Sequence, residues 1–437
     1  MSPFANTIFS KSNFINFLFS LIPLSFIAGN LVINLNILIL IIASFIFYNK
    51  KIFQLKSIFF DKLILFFFSL IIFTCIISNI NTYFFFDNPV GDGFYNMTVI
   101  QKSILFLRFL FLYFVIRYLV ENNIINFNFF FISCFFFSIF VSLDLFYQKI
   151  FGKDIFGYPA LAHYKLSGPF GDEYIAGGYL QRFSIFSFFL IPYYFGITKK
   201  LKLFFIFTFL LLIYFVAIIL SGNRMPMILF IFILCLIFLF EKKIRKFSLI
   251  FLLLISIIFT SVYNLNSKVK NNFDSFYNQT TGMVDIIAKK TPKKNKIPPH
   301  FQEFASFYDT WLMNKYFGGG LKSFRNNCHL RKNINRDSKF ICNMHPHNYY
   351  LEILTDLGLI GFVTLIIIFS VTLYKSLYKK YFLSPGFRKN YLIMPFILVF
   401  LAEIFPIKST GSFFTTGNAT FIFLIMFVII ALSKEKN

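Results

Sequence analysis

KKLKLFFIFTFLLLIYFVAIILSGNRMPMILFIFILCLIFLFEKKIRK, residues 199–246, decides the fold. Two apolar runs, 201–220 and 224–240, meet at the polar turn Ser221-Gly222-Asn223-Arg224 and carry lysines and arginines at their opposite ends. An α-helix rises about 1.5 Å per residue, so runs of this length cross, or nearly cross, a hydrocarbon layer of about 30 Å. Backbone amides in lipid find no water to bond, which leaves the helix as the form such runs take. The stretch reads as a helical hairpin through a bilayer, basic ends on one side and turn on the other.

The pattern repeats in both directions. Comparable runs lie near 13–29, 31–48, 63–80, 100–120, 126–148, 178–196, 247–263, 349–374, 391–408 and 415–433. The predicted fold is therefore all-α: a polytopic integral membrane protein of about twelve transmembrane helices. Composition agrees, with 57% hydrophobic and 14% charged residues and a mean hydropathy of +0.71, more apolar surface than a soluble domain can hide. With 72 Phe against one Trp, and a net charge of +24, the composition is biased. Charge placement is more informative than its total.

Placement follows the positive-inside rule. Lys50, Lys51, Lys56 and Lys62 follow helix two, Lys199, Lys200 and Lys202 helix six, and Lys242, Lys243, Arg245 and Lys246 helix eight. Lys375, Lys379, Lys380, Arg388 and Lys389 follow helix ten, and Lys434 and Lys436 close the chain. All fall on one side if both termini are cytoplasmic. The connection 81–99 carries Asp87 and Asp92 and no Lys or Arg, as an external loop should. The chain then divides into helices one to five (1–148), helices six to nine with a Gly-rich external loop (149–263), a large external loop (264–348) and helices ten to twelve (349–437). That large loop is polar and too long for a bare connector, so a small helical cap is expected there. Its Lys289, Lys290, Lys293, Lys294 and Lys296 form either a solvated face or an attraction for anionic lipid headgroups.

Lys11 precedes an apolar stretch with no small-residue cleavage site, so the first helix is expected to act as its own insertion signal. Neither a Gly-rich phosphate loop nor a Rossmann fingerprint is present, which argues against an ATP-driven machine unless a partner supplies the motor. No cofactor and no nucleic-acid partner are expected.

Ionisable groups inside a membrane cost several kcal/mol unless paired or solvated. Arg108, Asp144, Arg182, Arg224, Glu352, Asp356 and Glu403 all fall in the outer halves of their predicted helices. A wet cavity opening outward is the functional reading, and structural ion pairs, Arg108 with Asp144 for example, are the alternative. Arg224 stands where Ser221 or Asn223 can cap a helix and Pro226 suits its first turn. Exposed amides, the positive end of the helix dipole and a guanidinium fork together suit a phosphate. Arg182 follows the glycines of 168–178, which allow close approach of a ligand or a neighbouring helix.

The densest constellation is His345-Pro346-His347-Asn348-Tyr349-Tyr350-Leu351-Glu352, followed by Asp356, Gly358 and Gly361. Asn348 and Glu352 share a helix face, and an imidazole at the helix mouth can take a proton from a hydroxyl. A plain helix cap with surface histidines is the alternative. Cys328, His329, Cys342, His345 and His347 fit no standard zinc spacing. A Cys328–Cys342 disulfide is the better reading in an oxidising compartment.

Three motifs in this order, GPFGDEYIAGGYLQRF (168–183), SGNRMPMILF (221–230) and HPHNYYLEILTDLGLIG (345–361), resemble the O-antigen ligase and O-antigen polymerase superfamily. The resemblance covers about 168–433 and implies a fold similar to C-type glycosyltransferases. It implies transfer of a glycan from undecaprenyl pyrophosphate to an acceptor hydroxyl, at the periplasmic face of a bacterial inner membrane. In a ligase the acceptor is lipid A–core, and in a polymerase it is a growing glycan. By the same resemblance Arg224 and Arg182 hold the donor pyrophosphate, with Ser221, Asn348 and Glu352 around the substrate. His347, with His345, serves as the base. Pro346 between the histidines, and Met225-Pro226 after the arginine, depart from the usual pattern. A protein O-oligosaccharyltransferase usually carries a larger terminal extension, and a transporter usually shows an internal repeat. The topology has a direct check: alkaline phosphatase fused after Lys289 is active and fused after Lys243 is silent, whereas the reverse pattern inverts the assignment.

Overall fold

The computed structural model describes residues 10–85, 94–160, 165–193, 200–241, 245–265, 267–288, 299–330, 342, 347–383, 392–408 and 411–434. The first part of the chain forms α1 (Lys11–Ser20), α2 (Ile22–Ala28), α3 (Asn30–Tyr48), α4 (Phe59–Phe85), α5 (Phe94–Phe106), α6 (Arg108–Glu121) and α7 (Phe127–Phe151). Next come α8 (Ala176–Phe183), α9 (Ile185–Tyr193), α10 (Lys200–Leu220), α11 (Arg224–Phe240) and α12 (Arg245–Leu265). The segment expected as an external loop holds α13 (Ser267–Ile287), α14 (Pro299–Met313) and the single turn α15 (Phe324–Asn327). The chain closes with α16 (Tyr349–Leu373), α17 (Met394–Glu403) and α18 (Thr416–Leu432).

Among the described residues six helices are long and apolar enough to cross a membrane, or up to eight if each bent pair counts as one span. Three shorter apolar helices, Arg224–Phe240, Met394–Glu403 and Thr416–Leu432, add to them. Their outward faces stay apolar. Leu201, Phe205 and Phe209 are 62–70% exposed at successive fourth positions of α10, a stripe that water would penalise and lipid accepts. This is a membrane protein with no strand among its described residues.

Several expected boundaries change. The run 13–29 breaks at Leu21 with a bend of 43° between α1 and α2. Expected helix 178–196 is broken at Ser184 into α8 and α9. Expected helix 391–408 stops at Glu403, because Phe405 and Lys408 fold back into turns. That correction places Lys408 in a connection rather than a helix. α16 breaks its regular turn at Gly358, whose φ is 66°. A Cβ there would lie 2.3 Å from the Tyr316 backbone. The break frees amides that pair with the incoming segment: Leu359 N–H donates to the Lys315 carbonyl (2.8 Å) and Ile360 N–H to that of Tyr316 (3.1 Å).

α18 is the centre of the bundle, buried continuously from Ala419 to Ala431. Its rings meet those of several neighbours: Phe423 stacks on Phe109 of α6 (5.3 Å) and Phe421 meets Phe183 of α8 edge-on (5.3 Å). A charge network closes one end of this helix. Arg117, 1% exposed, bonds Asp61 Oδ1 (2.5 Å) and Glu121 Oε1 (2.6 Å), and Lys434 bonds the other oxygen of Glu121. Tyr113 Oη donates to Asp61 at 2.6 Å. Removing one partner of a buried pair leaves the other uncompensated, at about 3–5 kcal/mol. Arg117→Ala therefore lowers the unfolding free energy of the detergent-solubilised chain by about that amount. Lys434→Ala, at the exposed rim, costs far less.

Candidate functional site

The opposite end of α18 opens on a cavity of about 1280 Å³, lined among others by Arg182, Arg224, His347, Lys408, Asn418 and Lys165. Asp172 and Glu173 line it too, and Phe26, Ile33, Met225 and Leu229 add apolar wall. The three segments singled out in the sequence thus border one space.

Arg224 is the first residue of α11, and its guanidinium lies over the Phe276 ring at 5.8 Å. Asn223 occupies the cap position with extended backbone but makes no side-chain bond to the helix. Instead its Nδ2 donates to the Tyr174 carbonyl at 2.8 Å, tying the turn to the Gly-rich segment. Ser221 does not cap either. It is fully buried, and its hydroxyl donates to the Ile218 carbonyl at 2.7 Å.

Close approach explains one of the glycines. A Cβ on Gly177 would lie 2.4 Å from Ser221 Oγ and 3.1 Å from Asn223 Cβ, whereas one on Gly178 meets nothing within 4 Å. Of the two uses the sequence left open for these glycines, Gly177 serves the neighbouring turn.

Arg182 enters an ion pair. Its Nε and Nη2 grip both oxygens of Glu403 at 2.9 and 3.0 Å, and Nη2 also reaches Asn418 Oδ1 at 2.6 Å. Lys408, 4% exposed, bonds the same carboxylate and donates to Tyr349 Oη at 3.2 Å. Two cations share one carboxylate, which leaves this cluster with a net positive charge. Nothing in the sequence pointed to Lys408, because it closes an apolar run that reads as helix to its end.

His347 is half-buried with a left-handed backbone (φ 51°), directly before the start of α16. Asn348 caps that helix: its Oδ1 accepts from Tyr350 N (3.0 Å) and Leu351 N (3.2 Å), and its Nδ2 donates to the Pro406 carbonyl (3.0 Å). The cap reading and the positional reading merge here, since the cap fixes where His347 stands. Glu352 is buried behind the wall, accepting from Ser412 Oγ and Phe413 N, both at 2.5 Å. It anchors the loop that carries Gly411, Ser412 and Thr415 to the cavity. His345 lies outside the described residues.

The other expected charges are dispersed. Asp356 accepts from Lys322 N at 2.6 Å and holds the 320–323 turn. The Arg108–Asp144 pair is not formed: Arg108 Nη1 donates to the Leu105 carbonyl (3.0 Å), and Asp144 Oδ1 accepts from Ile155 N (2.8 Å). Each group bonds a nearby backbone atom, while Arg108 Nε and Asp144 Oδ2 are buried without a hydrogen-bond partner among the described residues. Cys328 and Cys342 are joined, with Cα atoms 5.6 Å apart. That bond consumes both thiols that a zinc site would need, and no group of three metal-binding side chains converges among the described residues.

An all-helical membrane protein with a cationic cavity at one end of its central helix is the class these features define. A family model described as O-antigen ligase matches residues 207–366, from α10 through α16, and supports the superfamily that the motifs resemble. No curated protein matches the chain significantly.

The packing of Gly177 can be tested apart from chemistry. Gly177→Ala destabilises by about 1–3 kcal/mol, as overpacked sites do, and Ser221→Ala in the same chain restores part of the loss. Gly178→Ala leaves the melting temperature unchanged.

Proposed function

We propose that this chain transfers a glycan from undecaprenyl pyrophosphate to a hydroxyl of lipid A–core at the periplasmic face of the bacterial inner membrane. The observation that carries the reading is the shared cavity, with Arg224 at a helix N-terminus, a net-positive Arg182–Glu403–Lys408 cluster and His347 on its walls. The O-antigen ligase match over 207–366 supports a ligase or polymerase type of activity.

The donor is already activated, so the enzyme supplies two things: positive charge for the departing pyrophosphate and a base for the incoming hydroxyl. The acceptor oxygen attacks the anomeric carbon as its proton passes to His347. The bond from that carbon to the phosphate oxygen breaks, and the pyrophosphate leaves with the electron pair. Arg224 and the first amides of α11 face the developing negative charge. A single in-line displacement inverts the anomeric configuration. Apolar walls around Ile33 and Leu229 suit the prenyl chain beside the diphosphate. No step calls on a metal.

Preorganised donors of this kind are worth about 10²–10³-fold in rate, and a positioned base about 10²–10⁴-fold. Arg224→Ala and His347→Ala therefore lower transfer by about those factors while the chain still inserts. The assay is glycan transfer from lipid-linked donor to lipid A–core in reconstituted vesicles. An active Arg224→Ala protein removes the donor site, and retained anomeric configuration removes the single-displacement mechanism. Gene deletion separates acceptors: loss of all long glycan marks a ligase, and lipid A–core bearing one repeat marks a polymerase.

A further inference from the structure

Glu403 has more cation around it than it needs. Arg182 alone satisfies both of its oxygens, yet Lys408 is buried beside it at 4% exposure. Holding a second ammonium in a low-dielectric interior costs several kcal/mol, and among the described residues it bonds Glu403 and the Tyr349 hydroxyl. An ammonium has three donors, so among the described residues one N–H remains beyond those two bonds. Lys408 is itself part of the cavity wall that includes Arg224 and His347.

Its backbone is fixed to the same scaffold as the candidate base. Lys408 N–H donates to the Phe405 carbonyl at 3.0 Å, and the neighbouring Pro406 carbonyl accepts from Asn348, the cap beside His347. Downstream, Glu352 pins Ser412 and Phe413. Asn348 and Glu352 thus hold the cation and the imidazole in one register.

We propose that Lys408 forms a phosphate subsite, with Glu403 as its resting counter-ion, that takes one phosphate of a lipid-linked pyrophosphate diester while Arg224 takes the other. This inference rests on the donor reading above and adds a residue to it. In the empty cavity Glu403 screens both cations. With the diphosphate bound, the net positive charge of the cluster meets it, and the ammonium turns its third donor toward phosphate oxygen.

Burial pushes the Lys408 ammonium down to about 8, with the Glu403 charge opposing that fall and the Arg182 charge adding to it. The charged groups facing it are Glu403 from α17 and Arg182 from α8, with Tyr349 from α16 bonded to it and His347 lining the same cavity. Below about 8 the ammonium is present, and as pH rises through that value the cation is lost. Anion binding therefore weakens on the alkaline side. Arginine at this position keeps its charge throughout.

The test is binding of a short-chain prenyl pyrophosphate diester of one sugar, whose phosphates do not titrate in this range, to the full detergent-solubilised chain by calorimetry at pH 7 and 9.5. The wild type is expected to bind about tenfold more weakly at pH 9.5, the loss of one charge-assisted bond. Lys408→Arg is expected to bind equally at both pH values, and Lys408→Met at both with the weakened affinity. A purely structural Lys408 would lower the melting temperature in Lys408→Met yet leave wild type and Lys408→Arg with the same pH profile, which overturns the subsite. Binding that Arg224→Ala abolishes but no Lys408 variant alters overturns this inference alone. No binding by the wild type at either pH overturns the donor reading together with it.

Discussion

The carboxylate of Glu403, fully buried and held by Arg182 and Lys408, is the interaction on which the cavity depends. It joins α8, the connection after α17 and, through Asn418 and Tyr349, the starts of α18 and α16. Ions in such surroundings are tolerated only when paired with good geometry. Here the pairing is bidentate on one side and leaves one positive charge over. A neutral cluster would hold the helices equally well but would offer an anion nothing.

The molecule keeps its two polar assemblies at opposite ends of α18. Arg117, Asp61, Glu121 and Lys434 meet past its C-terminus, and the cavity lies at its N-terminus, with Asn418 in its wall. Between them runs a helix buried on every side by phenylalanine and aliphatic side chains. One end is locked by charges that cancel and the other is left cationic, a division that suits a chain acting at one surface only. The many phenylalanines, a compositional bias when read as sequence, here fill the interior through edge-to-face ring packing.

Much of this is legible in the sequence. Polar residues stand out against an apolar background, which makes the Ser221–Arg224 turn and the His347 motif readable, and an oxidising compartment favours joining Cys328 to Cys342 over a zinc site. What stayed hidden was long-range pairing. Arg182 and Glu403 are 221 positions apart, and neither local propensity nor periodicity carries that distance. Lys408 was hidden for another reason: the apolar run 391–408 reads as helix to its last residue, and only turns after Glu403 bring the ammonium back to the cavity. Glu352 and Asp356 are readable as acids within an apolar run, but both bind backbone amides: Glu352 holds the segment that carries Ser412, and Asp356 holds the 320–323 turn apart from the cavity lining.

A density map of the full chain in a lipid nanodisc, soaked with undecaprenyl pyrophosphate carrying one sugar, bears most directly on the central claim. The diphosphate is expected between the N-terminus of α11 and Lys408, with the anomeric carbon toward His347. Diphosphate density at the Arg117 end, or anywhere out of reach of Arg224, would contradict it.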